Sequence, residues 1–191
     1  MALKVGDKAP DFIVNDQDGR PVKLSDLKGR KVVIYFYPKD MTPGCTAEAC
    51  NLRDNYHAMA KQGFEVLGVS TDSEKSHRKF IEKEKLPFRL LSDSNRVIHD
   101  SYGTWVEKSM YGRKYMGTAR VTFVINEKGI IDDIIEKVET KNHAAQILRS
   151  GSANFPKAMV AGIPTPKLKK TTAAKTEKKS APKKKGVTRR K

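Results

Sequence analysis

The sequence predicts an α/β sandwich, and three observations carry that prediction. Two short apolar runs, Val32 to Tyr37 and Phe64 to Val69, read as strands buried on both faces of a sheet. Stretches of helical periodicity follow each run, so strand and helix alternate along the chain. Finally, Val121 to Ile125 and Ile130 to Val138 flank Glu127-Lys-Gly129 in the pattern of a hairpin, and a helical stretch from about Asn142 to Ser150 closes the domain.

The remaining elements follow in order. Phe12-Ile-Val14 and Val22 to Leu24 flank the turn-forming Asp16-Gln-Asp-Gly-Arg20 and predict an N-terminal hairpin. Ser25-Asp-Leu-Lys-Gly29 reads as a single helical turn before the first buried strand. After that strand comes a turn at Pro38, then Thr42 as N-cap with Pro43 at the first helical position, where its missing N–H has no partner to lose. Gly63 is the expected stop of this helix. Thr71 or Asp72 is expected to cap a second helix running through Glu84, and Leu86-Pro87 to end it before a strand at Phe88 to Leu91. Asn95 to Tyr102 reads as a short helix.

That numbering puts Cys45 third in its helix. Free backbone N–H groups and the positive end of the helix dipole favour an anion there, so a thiol at this place is expected to carry a raised thiolate fraction. Cys45 also continues the apolar stripe Ala49, Leu52, Tyr56 and Met59, which turns it inward. Chemistry alone leaves it evenly balanced between a small buried residue and a nucleophile. The second cysteine, Cys50, lies five residues on. Helical geometry separates the two by about 8–9 Å between Cα atoms, and a disulfide tolerates roughly 7 Å. The pair is therefore expected to bridge only if the first turns unwind. As a zinc site it lacks two ligands, and the four histidines, His57, His77, His99 and His143, show no ligand spacing; each is expected on a helix surface.

The segment Pro38-Lys-Asp-Met-Thr42-Pro-Gly-Cys45 resembles the signature of the peroxiredoxins, and Cys50 stands where the bacterioferritin comigratory protein (BCP, or PrxQ) branch keeps a resolving cysteine. Val5-Gly-Asp-Lys-Ala-Pro-Asp-Phe12 is similar to the family's first segment, and Gly117-Thr-Ala-Arg120-Val-Thr-Phe-Val-Ile-Asn126 to the one that carries its arginine. The resemblance covers about residues 1–150. It implies a thioredoxin-like fold, a central mixed sheet flanked by helices. It further implies that Cys45 attacks hydroperoxides and becomes a sulfenic acid, that Cys50 resolves it in a transient Cys45–Cys50 disulfide, and that thioredoxin reduces the disulfide. Thr42, Arg120 and the backbone of Gly44 and Cys45 are the implied donors to peroxide, Pro38 shields the thiolate, and Glu48 orients the arginine. No metal, haem or flavin is implied, and the assembly is a monomer or weak dimer. Without the motif, Arg120 reads as a solvated residue before a strand and Glu48 as an ordinary acid in a first helical turn.

The chain has 38 Lys or Arg against 22 Asp or Glu, a net charge of +16. Its distribution is uneven: residues 157–191 hold 13 of the basic residues and one acid, Glu177, hence +12 of the total. The sequence therefore divides into a domain at 1–150 and a linker with a Lys/Arg-rich tail at 151–191, which is expected to be disordered. Such a tail can neutralise phosphates without reading base sequence, so non-specific nucleic-acid contact is expected beside the bland alternative of a solvated tail. A nucleic-acid-binding or redox-sensing protein on a peroxiredoxin scaffold is accordingly the second functional reading. The N-terminus shows no basic-then-apolar leader and no apolar run approaches the roughly 20 residues of a membrane span, so a cytoplasmic location is expected, nucleoid-associated or nuclear if the tail directs it.

Overall fold

The computed structural model describes residues 3–110 and 112–150, so the expected linker and tail from 151 on lie outside the described residues. Ile13–Asn15 (β1) and Pro21–Lys23 (β2) form the predicted hairpin, and a 3₁₀ turn at Leu24–Leu27 leads to Lys31–Phe36 (β3). Then follow Pro43–Lys61 (α1), Phe64–Ser70 (β4), Glu74–Glu84 (α2), Arg89–Ser92 (β5), Val97–Ser101 (α3), Trp105–Met110 (β6), Arg113–Thr118 (β7), Val121–Ile125 (β8), Ile131–Ile135 (β9) and His143–Ser150 (α4).

Five strands make one mixed sheet in the order β5-β4-β3-β8-β9. β3, β4 and β5 run parallel, joined by crossover helices, while β8 and β9 add an antiparallel hairpin to the other side of β3. The fold is thioredoxin-like. Because side chains alternate across a strand, β3 feeds two cores. Val33, Tyr35 and, just beyond the strand, Tyr37 pack with Ala49, Leu52 and Met59 of α1, Phe80 of α2 and Ile147 of α4. Val32, Ile34 and Phe36 face Phe12, Val22, Ile98, Tyr102 and Phe123 on the other side. Each large side chain buried this completely contributes about 1.5–3 kcal/mol. β3 is thus fixed on both faces, and the loop that leaves it is held by its most rigid neighbour.

Close packing also explains Gly68, in the middle of β4. A Cβ there would lie 2.5 Å from Leu90 Cδ2 and 2.6 Å from the Tyr35 hydroxyl. Gly68→Ala is expected to destabilise the fold by about 1–3 kcal/mol, the usual cost of overpacking, read as a lower urea midpoint; an unchanged midpoint would show that the core yields.

Two parts of the structure depart from the sequence reading. β6 and β7 form a two-stranded ribbon of their own, paired from Trp105↔Thr118 to Met110↔Arg113, with most of β7 exposed. It packs only near its base, where Thr118 bonds His99 and Trp105 meets the same ring edge-on, so its sequence carries no alternation to read. The second correction concerns the histidines. Only His57 is on the surface; His77, His99 and His143 are wholly buried, each held by tertiary hydrogen bonds. His77 Nδ1 meets Asp40 Oδ2 at 3.0 Å, His99 Nδ1 meets Asp93 Oδ2 at 2.6 Å, and His143 Nε2 meets Thr122 Oγ1 at 2.9 Å. Smaller differences lie at caps. The α2 cap is Ser73, whose Oγ accepts from Ser76 N; Asp72 instead accepts from Asp40 N at 2.8 Å.

Candidate active site

The loop from β3 to α1 is set by a buried carboxylate. Asp40 accepts from the Tyr37 hydroxyl at 2.7 Å and from Ser76 Oγ at 2.7 Å, and pairs with His77. Burial pushes its carboxyl up, but the His77, Ser76 and Tyr37 hydrogen bonds prevail and hold it below the usual carboxylate range. Next to it, Met41 takes a left-handed conformation (φ 58°), a strained choice for a residue with a side chain. The anchored Asp40 and this turn fix where α1 begins. Thr42 has the extended backbone of an N-cap, but its hydroxyl does not cap; Oγ1 donates to Lys39 O at 3.0 Å. Pro38 lies exposed in the turn after β3.

The first intrahelical bond runs from Thr46 N to Thr42 O, so the amides of Gly44 and Cys45 belong to the unpaired first turn. No acidic residue stands in that turn. Cys45 is only 1% exposed. Arg120 approaches it from the β7–β8 junction: Arg120 Nη2 donates to Cys45 Sγ at 3.2 Å, while Nη1 donates to Glu48 Oε2. One guanidinium fork therefore spans the sulfur and the carboxylate, which Lys could not do. The neighbouring backbone is fastened too, with Ala119 N donating to Thr104 O at 2.8 Å. Gly44 lies directly beside the fork, and a Cβ there would make ordinary contact with Arg120 Nη2 at 3.5 Å.

Glu48 is completely buried, one turn beyond Cys45. Burial raises its carboxyl to about 7, with Arg120 only partly offsetting it. Its other oxygen, Oε1, lies 3.7 Å from His143 Nε2. Burial lowers that imidazole to about 4, against a partial opposing effect from Gln146. The two shifts act oppositely on stability. The raised Glu48 stabilises the fold fully below about 4.5, and this contribution is lost as pH rises through 7. The lowered His143 stabilises only above its ordinary 6.5, and is lost as pH falls through 4. The stability of wild type relative to Glu48→Gln is therefore expected to fall by on the order of 3 kcal/mol from pH 4.5 to 7, measured by urea unfolding at stepped pH. A difference independent of pH would contradict this.

Two neighbours of the site carried no sequence signal. Asp40 is one of three residues between Pro38 and Thr42 to which the motif gives no role, and its partner His77 is 37 residues away. Lys108 comes from the unpredicted ribbon: its ammonium donates to Thr118 O, two residues before Arg120, and burial and the Arg120 charge lower it from its ordinary value. Cys50 lies on the α1 face toward α2, not beside Cys45. Its Sγ is 3.5 Å from Glu84 Oε2, and both cysteines are free thiols on one unbroken helix.

A thioredoxin-like sheet that presents a buried cysteine at a helix start, under an arginine fork, defines a thiol-based redox enzyme. Residues 5–134 match the AhpC/TSA family, and the chain belongs to that family, in its BCP/PrxQ branch of peroxiredoxins. It is 47% identical to the Escherichia coli peroxiredoxin Bcp over 76% of this chain and 94% of that one. It is 44% identical to the Bacillus subtilis peroxiredoxin Bcp over 78% and 96%. Among solved structures, Mycobacterium tuberculosis BcpB is 35% identical at a TM-score of 0.71, covering 81% of this chain and 99% of that chain. The Xanthomonas campestris bacterioferritin comigratory protein, described for its alkyl peroxide reduction activity, is 34% identical at a TM-score of 0.69, over 73% and 88%. The chain is accordingly a thiol peroxidase, an oxidoreductase.

Proposed function

We propose that this chain reduces hydrogen peroxide and organic hydroperoxides at Cys45, with Cys50 resolving and a dithiol protein such as thioredoxin recycling it. The observation that carries the reading is the 3.2 Å contact of Arg120 Nη2 with a thiol buried at a helix start. The Cys45 thiolate attacks the terminal peroxide oxygen; the O–O bond breaks, the sulfur is oxidised to sulfenic acid, and the departing oxygen takes a proton to become alcohol or water. Charge leaves sulfur and appears on that oxygen. Arg120 and the Gly44 and Cys45 amides are donors already aimed at such charge. The Thr42 hydroxyl gives its hydrogen to Lys39 O, so it meets peroxide as an acceptor of the O–H through its lone pairs and not as the donor the resemblance implied. Glu48 holds the far arm of Arg120 and so orients the near one. Pro38, exposed at the rim, limits water access from the loop side.

Resolution requires the start of α1 to unwind, since Cys50 cannot reach Cys45 along an intact helix. Exchange with an external dithiol then restores both thiols. The test is thioredoxin-coupled peroxide turnover. Cys50→Ser is expected to consume about one equivalent of peroxide and then stall; steady turnover at the wild-type rate would overturn its resolving role. No described helix is long and apolar enough to cross a membrane; action in the cytoplasm, as monomer or weak dimer, belongs to the same proposal. The +12 carried by residues 157–191 supports one addition, weak binding to nucleic acid without sequence preference. DNA affinity unchanged on deleting 157–191 would refute that addition.

A further inference from the structure

Cys50 does not wait in solvent. Its Sγ–H donates to Glu84 Oε2 at 3.5 Å, and the Glu84 side chain, at the end of α2, is only 17% exposed. The same residue is tied to α1 a second time, by Arg53 Nη1 donating to Glu84 O at 2.6 Å. On the other flank Asn51 is clamped to the start of α4. Its Nδ2 donates to Lys141 O at 2.9 Å, and its Oδ1 accepts from Ala144 N at 2.8 Å. From Asn51 onward α1 is thus pinned on both sides. The turns before it have no side-chain cap from Thr42 and contain Gly44, so their tertiary hold is the Arg120 fork on Cys45 and Glu48, which must let go for them to unwind.

We propose that Glu84 is the base that takes the Cys50 proton during resolution, once the turns of α1 before Cys50 have unwound and brought Cys45 to it. This rests on the reading of Cys50 as resolving cysteine. In the step, the Cys50 sulfur attacks the Cys45 sulfur as its proton passes to Glu84. The S–S bond forms and the S–O bond breaks; hydroxide leaves and is protonated to water, the proton on Glu84 returning to it or to solvent. Cys50 sulfur is oxidised and Cys45 sulfur reduced, so no other oxidant is needed. The charged groups around the thiol are Arg53 and Asp54 on α1 and Lys83 and Glu84 on α2. Burial and the Glu84 carboxylate raise the Cys50 thiol, with Arg53 opposing them. That is the resting condition of a thiol whose proton is handed over only during reaction.

The test mixes reduced full-length protein with one equivalent of hydrogen peroxide, quenches by alkylation, and counts sulfenic acid and disulfide by mass spectrometry. Glu84→Gln is expected to form the Cys45 sulfenic acid at the wild-type rate but the disulfide about 10²-fold more slowly near neutral pH, with the deficit closing as pH rises. In a Cys45→Ser background, Glu84→Gln is expected to make Cys50 alkylate faster, because the carboxylate that disfavours its thiolate is gone. A residue with only a structural role would not slow one reaction of a thiol while speeding another. Glu84→Asp, one methylene shorter, is expected to be intermediate in the disulfide step and covers the case of a Gln variant that folds poorly. Disulfide formation at the wild-type rate in Glu84→Gln overturns the role of the base alone. Absence of the disulfide in wild type overturns the resolving role of Cys50, and the base with it.

Discussion

Cys45→Ser is expected to abolish peroxide turnover, by roughly 10⁴-fold or more, the scale on which enzymes lose a covalent nucleophile. A serine hydroxyl stays protonated at neutral pH and attacks peroxide poorly, and neither the helix start nor Arg120 can ionise it. The fold should survive. Cys45 is buried at a site that already offers Arg120 Nη2 as a hydrogen-bond donor, so the new oxygen finds a partner and stability should change by about 1 kcal/mol. Unchanged circular dichroism and urea midpoint, with turnover at background, is the expected result. Retained turnover would move the nucleophile elsewhere.

Arg120→Met is expected to lower kcat/KM for peroxide by about 10²–10³-fold, the loss seen when a preorganised donor to a developing oxyanion is removed. A stability loss accompanies it, because Glu48 is left in the core without its cation. The two effects separate in a cycle. Adding Glu48→Gln should recover much of the stability and none of the rate. Arg120→Lys should rescue little of the rate, since one ammonium cannot reproduce a fork divided between Cys45 and Glu48. An Arg120→Lys variant near wild-type activity would show that charge alone suffices.

The sheet strands and helices were legible because burial writes itself into pattern. β3 is apolar from Val32 onward because both its faces are covered, and α1 shows its inward stripe from Cys45 to Met59. The candidate site was legible where it is local: Thr42, Pro43 and Cys45 sit together at one helix start. Long-range partners were not. That Glu48 meets Arg120 across 72 positions is a product of the fold, and only family resemblance pointed to it. His77, His99 and His143 were expected on helix surfaces because an imidazole carries no mark of burial in sequence; their partners Asp40, Asp93 and Thr122 are supplied by other segments. The β6–β7 ribbon escaped for a related reason. It packs only near its base, yet it delivers Lys108 to the backbone beside Arg120.

The most direct measurement is chemical labelling of the oxidised residue. Cys50→Ser protein is treated with one equivalent of hydrogen peroxide in the presence of dimedone and then digested for mass spectrometry. A single sulfenic-acid adduct, on Cys45, is expected at near-stoichiometric yield, with a sharp loss of that adduct in the Cys50→Ser/Arg120→Met double variant. Consumption of peroxide with no adduct on Cys45, or an adduct that forms equally fast without Arg120, would contradict it.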